Sequence, residues 1–413
     1  MCYAEYVVVI DIKYVFNLYI GNCVILILIE FNISILFIDI LNGLEMNHLP
    51  DEASILRMVQ DLQKTTREML LYVMLLNKQV DSILSQTTIQ TAVQTDTSNI
   101  NVLDLFCGCG GMSRGLIDAG LNVVAGIDIW DKAIDSYKSN FSHMTICEDL
   151  TQLTPEIFDK TYNNNKRIDV IVGGPPCQGF SIAGKRDLND PRNSLFMEYV
   201  KYLKYFKPKL FMLENVMGIL SMKTMTNAKV IDIIMNYLEI DYTCTICKLY
   251  ASDYEVPQNR RRVIIIGIRK DLNKIPLEPS PVGNRIPVST VLIPRTDVDM
   301  SYYLSVKAII GINRKKAESK RDGKGFGAQY LKLDKPSYTI PARYWKDGYD
   351  ALVYYDQNNI RRLTILELKR IQTFPDSFLL CGSKKEQIMQ IGNAVACRFA
   401  YHLGLYVSNM LIL

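Results

Sequence analysis

Apolar residues fall along this chain in three regimes. The first is an apolar run at residues 24–41, VILILIEFNISILFIDIL, interrupted by Glu30, Asn32, Ser34 and Asp39. The second is periodic. Ile55, Leu62, Met69, Leu76 and Ile83 recur every seven residues, and Val59, Thr66, Val73 and Val80 recur in the alternate register. Interleaved, the two series give the 4-3 spacing of a coiled-coil seam, which predicts a helix over residues 50–86, started by Asp51 or Ser54. Such a stripe serves self-association or packing on its own domain equally well. Residues 87–99 are rich in Thr and Gln and read as a linker. The third regime, from Asn101 to about Arg269, alternates short apolar runs with amphipathic stretches. Strands are expected at 102–106, 123–128, 168–172, 210–213, 243–249 and 263–268, with helices at 131–140 and 194–206. That alternation marks βαβ units and predicts an α/β fold with a doubly wound, mostly parallel sheet. Ligands of such sheets bind beyond the carboxyl ends of the strands.

Composition narrows the picture. With 413 residues, 48% of them hydrophobic and 22% charged, the chain can bury a sizeable core in two or three domains, which excludes a disordered or collagenous protein. Ten cysteines are too sparse for a disulfide scaffold, so a reducing, intracellular setting is expected: cytoplasm or nucleoid, or a nucleus in a eukaryotic or viral context. The lead at residues 1–45 has no basic n-region and no small-residue cleavage site, which argues against a signal peptide. It reads either as a membrane anchor or as sequence upstream of a start at Met46. Its acids favour the second.

The net charge of +4 hides an asymmetry. From Arg260 to Lys346 there are nineteen Lys and Arg against seven Asp and Glu, or +12, so the remainder carries −8. A basic segment on an acidic protein points to a face made for a polyanion.

The candidate chemistry sits in the loops after the expected strands. The first strand runs into DLFCGCGGMSRG, Asp104 to Gly115, where glycines between strand and helix let backbone N–H groups approach a ligand. The next ends at Asp128, placed to take the ribose hydroxyls of a nucleoside cofactor, and Asp149 follows at the next strand end. A third loop reads GGPPCQGFS from Gly173 to Ser181, where two prolines fix the approach to Cys177 and mark it as a nucleophile rather than core filler. Leu213-Glu-Asn-Val216 puts a carboxyl at the same sheet edge, and Gln258-Asn-Arg-Arg-Arg262 supplies cations that favour thiolate.

Together with Gly392-Asn-Ala-Val395, these motifs occur in an order that resembles the C5 cytosine-specific DNA methyltransferases, from Asn101 to about the C-terminus. The resemblance implies the S-adenosylmethionine-dependent methyltransferase fold, with a smaller target-recognition domain and, here, an N-terminal helical extension. It implies that Cys177 attacks C6 of a cytosine flipped out of duplex DNA, that Glu214 holds the base edge, and that Arg262, with Arg260 beside it, reaches the base carbonyl and the thiolate. For S-adenosylmethionine it implies a pocket from Phe106, Gly108, Gly110, Gly111, Asp128, Ile129, Asp149, Leu150, Pro176, Leu195, Asn393 and Val395. Residues 178–192 take the place of the loop that closes on DNA, where Gln178 or Ser181 fills the gap left by the base and Lys185, Arg186 and Arg192 meet phosphates.

Implied domains are a catalytic and cofactor-binding domain at 100–269, target recognition at 270–344, and a return to the catalytic domain at 345–413. The stretch 361–375 resembles the family's ninth motif, a scaffold helix. Two departures stand out: Ala396 where many members have proline, and Asp128 where glutamate is commoner. Cys244 and Cys247 have the spacing of half a zinc site, but no second pair follows and no metal is expected. Two other readings are a tRNA methyltransferase on the same scaffold, whose Cys-Phe-Thr signature is absent, and a silent DNA-binding homologue, which has no physical reason to keep Cys177, Glu214 and Arg262 together.

Overall fold

A strand buried on both faces needs apolar side chains at consecutive positions, and segments such as VIVG and RRVIIIGIR supply them. The computed structural model describes residues 17–20, 23–26, 99–176, 194–224, 227–283, 285–321, 328–346 and 348–412. The chain divides into two units, Met1–Val93 and Gln94–Leu413. In the first, β1 (Asn17–Ile20) pairs antiparallel with β2 (Cys23–Leu26). The expected coiled-coil helix, most of the linker and most of the apolar run at 24–41 lie outside the described residues. Among the described residues no helix is long and apolar enough to cross a membrane.

The second unit is built on β3 (Asn101–Leu105), β4 (Asn122–Asp128), β5 (Met144–Cys147), β6 (Val170–Gly173), β7 (Leu210–Asn215), β8 (Tyr242–Tyr250) and β9 (Arg261–Arg269). They form one sheet in the order β5-β4-β3-β6-β7-β9-β8. The first five pair in parallel, whereas β9 runs antiparallel to both its neighbours. Strand order reverses between β3 and β6, so the loops leaving these two strands open onto the crevice where open α/β sheets bind ligands. They are the glycine loop and the Pro-Pro-Cys loop. All six expected strands are present. Strand β5 is additional, short and at the sheet edge.

Side chains alternate between faces along each strand. Leu103, Leu105, Ile171, Phe211, Leu213 and Ile265 pack under α4 (Ser194–Phe206) and α5 (Val230–Leu238). Val102, Val170, Val172, Met212, Ile264 and Ile266 pack under α1 (Gly111–Asp118) and the last helix, α9 (Cys397–Ile412). A Cβ at Gly115 would overlap the Cys397 carbonyl, so that glycine lets α9 lie against α1. Three residues apart on β8, Cys244 and Cys247 face opposite sides of the sheet, which separates them as ligands for one metal.

The segment after β9 contributes short turns and α6 (Val306–Arg321). It does not keep a core to itself. Val288, Leu331, Ile340 and Tyr344 pack with Val353 of the hairpin β10 (Leu352–Asp356) and β11 (Asn359–Arg362), with Leu368 and Ile371 of α7 (Ile365–Ile371), and with Ile388 and Ile391 of α8 (Lys384–Asn393). One core therefore straddles residue 344. Beneath it the fully buried Arg361 forks onto both oxygens of the equally buried Glu367 at 2.8 Å each, and Glu367 also closes the capping box with Thr364 that starts α7. This stretch serves as scaffold.

Candidate active site

The glycine loop leaves β3 through Phe106, Gly108 and Gly110, all at positive φ (60°, 56° and 97°), a region that only glycine enters without strain. The Gly108 N–H donates to Asp128 Oδ2 at 2.8 Å, while the Trp130 N–H donates to Oδ1 at 2.9 Å. The carboxylate that ends β4 thereby pegs the loop leaving β3. Burial raises the Asp128 carboxyl above its ordinary range, and these N–H donors oppose the rise.

Among the described residues no atom lies within 4 Å of the place a Gly108 Cβ would take, so the loop borders space that they leave open. A Cβ at Gly111 would instead overlap the Val395 carbonyl. That close approach brings the exposed Asn393 and half-buried Val395 onto the start of α1, across more than 280 residues of chain. Ile129, beside the peg, is 66% exposed, an apolar surface left for something to cover. Phe106 and Leu195 are half-buried and Pro176 is exposed. Asp149 accepts the Thr151 N–H at 2.9 Å, whereas the Leu150 side chain is buried in the sheet core and offers a ligand only its backbone.

Under this loop lies a network the motifs do not announce. Ser113 Oγ donates to the buried Asp104 Oδ2 at 2.5 Å, Tyr137 Oη donates to Ser113 Oγ at 2.6 Å, and His143 Nε2 stands 2.7 Å from the same phenol. Burial drives the Asp104 carboxyl up to about 7, against the pull of Ser113 and with a contribution from Asp128. Burial holds His143 down at about 4, so the ring is neutral.

The second half of the site lies at the ends of β6 and β7. Arg262 Nε donates to Glu214 Oε1 at 2.5 Å, both side chains being mostly buried. The other oxygen, Oε2, sits 3.0 Å from where a Gly174 Cβ would be, so the loop after β6 runs close against this carboxylate. The next residue, Asn215, donates from Nδ2 to the Pro175 carbonyl at 3.1 Å and accepts the Val216 N–H at 2.9 Å. It thus clips the Pro-Pro turn to β7. Cys177 follows this turn and lies outside the described residues, as do Gln178, Ser181, Lys185, Arg186 and Arg192.

Arg260 is not an open cation. It is 3% exposed, and donates from Nη1 to the Ile340 carbonyl at 3.1 Å and from Nη2 to the Gly392 carbonyl at 2.8 Å. Burial, then the neighbouring Arg262, brings its guanidinium down to about 9. Gln258 repeats the theme, donating to Gln372 Oε1 and accepting the Ile340 N–H, while Gln372 reaches the Ile391 and Ala394 carbonyls. Gln258 and Arg260 tie the segment around residue 340 and the end of α8 to the sheet. Arg262 alone of the three arginines points to Glu214. The sequence reading did not foresee the duties of Asn215, Ser113, Tyr137 and Gln372. For Asn215 a signal was present, an amide fixed beside the expected acid.

Comparison with known proteins identifies the family. The chain is 34% identical over 325 residues to the Type II methyltransferase M1.ScrFI of Lactococcus lactis subsp. cremoris, covering 77% of this chain and 80% of that enzyme. It is 46% identical over 176 residues to M.DdeI of Desulfomicrobium norvegicum, a match that spans 42% of this chain and 41% of that enzyme's length. A crystal structure described as a prophage-encoded DNA modification methyltransferase (E. coli) superposes with a TM-score of 0.60 and 26% identity, covering 76% of this chain and all of that one. Residues 100–408 match the model of the C-5 cytosine-specific DNA methylases. The chain belongs to that family and is a DNA cytosine-5 methyltransferase.

Proposed function

We propose that Cys177 is the nucleophile of this enzyme and that Glu214 and Arg262 are the pair that receives the cytosine. The observation that carries the reading is the Glu214–Arg262 contact at the tips of β7 and β9, next to a Pro-Pro turn clipped by Asn215 two residues before Cys177. An aromatic carbon is a poor nucleophile, and a covalent adduct divides one hard step into easier ones. The Cys177 thiolate adds to C6, which makes C5 nucleophilic. After C5 is methylated, a base removes the C5 proton, the electrons return to the ring and the S–C6 bond breaks. Glu214 holds N3 and the exocyclic amine, and Arg262 meets the base carbonyl where charge develops. Arg260 acts at one remove, by fixing the segments at Ile340 and Gly392 around Arg262.

Family and fold imply S-adenosylmethionine, and the residues fit it. Gly108 borders open space, Asp128 and Asp149 stand at strand ends, Ile129 offers an uncovered apolar face, and Gly111 admits the Asn393–Val395 turn. When bound, that group supplies an electrophilic methyl. Phe106, Gly110, Pro176 and Leu195 complete the walls, and Leu150 contributes backbone. Residues 178–192 close on duplex DNA, and residues 270–344 read its sequence, sharing the core that continues into 345–413. The relatives' Type II designation points to a partner restriction endonuclease. The free thiols Cys107, Cys109, Cys147, Cys244, Cys247, Cys381 and Cys397 suit a reducing, intracellular setting. The seam at 50–86 predicts a self-associating segment.

Cys177→Ala is expected to abolish methyl transfer while duplex binding persists, and undiminished methylation in that variant would remove the covalent route. A 5-fluorocytosine target should trap a complex that survives denaturation, because fluorine cannot leave as the C5 proton does. Bisulfite sequencing of DNA from expressing cells reads activity and target motif together.

A further inference from the structure

At the start of α8, away from the site above, lies a cavity of about 280 Å³ whose lining includes Ser301, Tyr302, Trp345, Arg362, Lys384 and Lys385. Its chemistry is one-sided. Among the described residues no lining residue is an acid, and three are cations. Lys384 Nζ stands 3.6 Å from the Tyr302 ring centroid and Lys385 Nζ 4.4 Å from that of Trp345, with Lys346 Nζ 5.8 Å from the same Trp345 ring. Two acids nearby, among the described residues, are engaged. Asp299 faces Lys384 but accepts the Ser301 N–H at 2.8 Å, and Glu386 turns back to accept from the Ser383 N–H and hydroxyl at 2.7 Å each.

A lysine laid over an aromatic face is steered and partly immobilised by the ring quadrupole, while its remaining N–H bonds stay free to donate. It therefore gives up less side-chain entropy when it takes an anion. Converging cations and a hydroxyl around an open cavity fit the phosphate group.

We propose that this cavity binds a backbone phosphate of the DNA substrate outside the target base pair. The proposal rests on the reading of the chain as an enzyme of duplex DNA. Helix α8 has ten residues, so the cavity is about 15 Å from the Gly392–Asn393 end, where the glycine loop and Arg260 meet. Along B-DNA that distance covers about four to five base pairs. The lysines thus lengthen the footprint without reading sequence.

The test uses the full chain carrying Lys384→Gln and Lys385→Gln together, both exposed positions. Two duplexes hold the same methylation site, one with about three base pairs on each side and one with about fifteen. On the long duplex the variant should bind about tenfold more weakly at 0.1 M salt, with a log K against log salt slope shallower by about 1 to 2. On the short duplex, affinity and methylation should match the unaltered protein within twofold. Equal affinity on the long duplex overturns the proposal. So do equal losses on both, which would mean the lysines act by holding α8 in place. Inorganic phosphate that stabilises the unaltered protein but not the variant, with no effect of duplex length, would assign the cavity to a free anion and also overturn it. An unaltered protein that methylates neither duplex would sink the enzymatic reading instead, a result distinct from all of these.

Discussion

Asn215 shows how much a single amide carries: it ends β7 beside Glu214 and clips the Pro-Pro turn that precedes Cys177 in sequence. Losing that grip removes a buried hydrogen bond worth about 1–3 kcal/mol where it leaves a carbonyl unsatisfied, and misplacement of a reacting group is costly. Asn215→Ala is therefore expected to slow methyl transfer about 10-fold to 100-fold in single-turnover assays, with the KM for S-adenosylmethionine within about twofold. Asp104 makes a different prediction. Its folded carboxyl titrates near 7 instead of 3.8, chiefly through burial. Between those values the folded chain keeps a proton that the unfolded chain has released, so this group makes stability fall as pH rises from about 4 to 7 and level off above. His143, held neutral down to about 4, works in the opposite sense, adding stability as pH rises from about 4 to 6.5. A bare pH profile would blur the two. Asp104→Asn keeps an acceptor for Ser113 and removes only the carboxyl's share. Its unfolding free energy relative to the unaltered protein should climb from pH 5 to pH 8, by at most about 3 kcal/mol. A difference that stays flat across that range would show that Asp104 does not titrate there.

Elements place these residues, and the contact of α1 with the turn after α8 is the most demanding of them. Alanine at position 111 would raise helix propensity by about 1 kcal/mol, yet its Cβ would push on the Val395 carbonyl, and overpacking costs about 1–3 kcal/mol. Gly111→Ala should therefore weaken S-adenosylmethionine binding about tenfold by calorimetry while the thermal midpoint moves little. Unchanged affinity would show that the 393–395 turn is not part of the pocket. The central strands were legible because burial on both faces demands continuous apolar runs. Strand β5, MTIC at the sheet edge, and the hairpin β10–β11 with its polar turn carried no such signature. The antiparallel setting of β9 is a long-range pairing with no local mark. The placement of Glu214, Arg262 and Asp128 at strand ends was legible from the pattern of apolar runs. Arg260 was misjudged as an open cation, because the carbonyls that capture it lie 80 and 132 residues further along the chain.

Across the whole molecule the same capture changes the meaning of net charge. The nineteen Lys and Arg between Arg260 and Lys346 would, if all met phosphates, give a log K against log salt slope of about −17. At least eight are engaged within the protein. Arg260, Lys270 and Lys274 donate to carbonyls, and Arg262, Arg269, Arg285, Arg314 and Arg343 pair with carboxylates. Eleven cations set a ceiling of about −10 for this segment, and the contacts typical of a DNA-binding module give about −5 to −9. S-adenosylmethionine presents no comparable polyanion, so its affinity should hardly move with salt. Titrating both ligands from about 50 to 300 mM KCl checks the two expectations on one sample: DNA affinity should fall by orders of magnitude while cofactor affinity holds within about twofold. A DNA slope shallower than about −2 would mean that the basic segment faces away from the duplex.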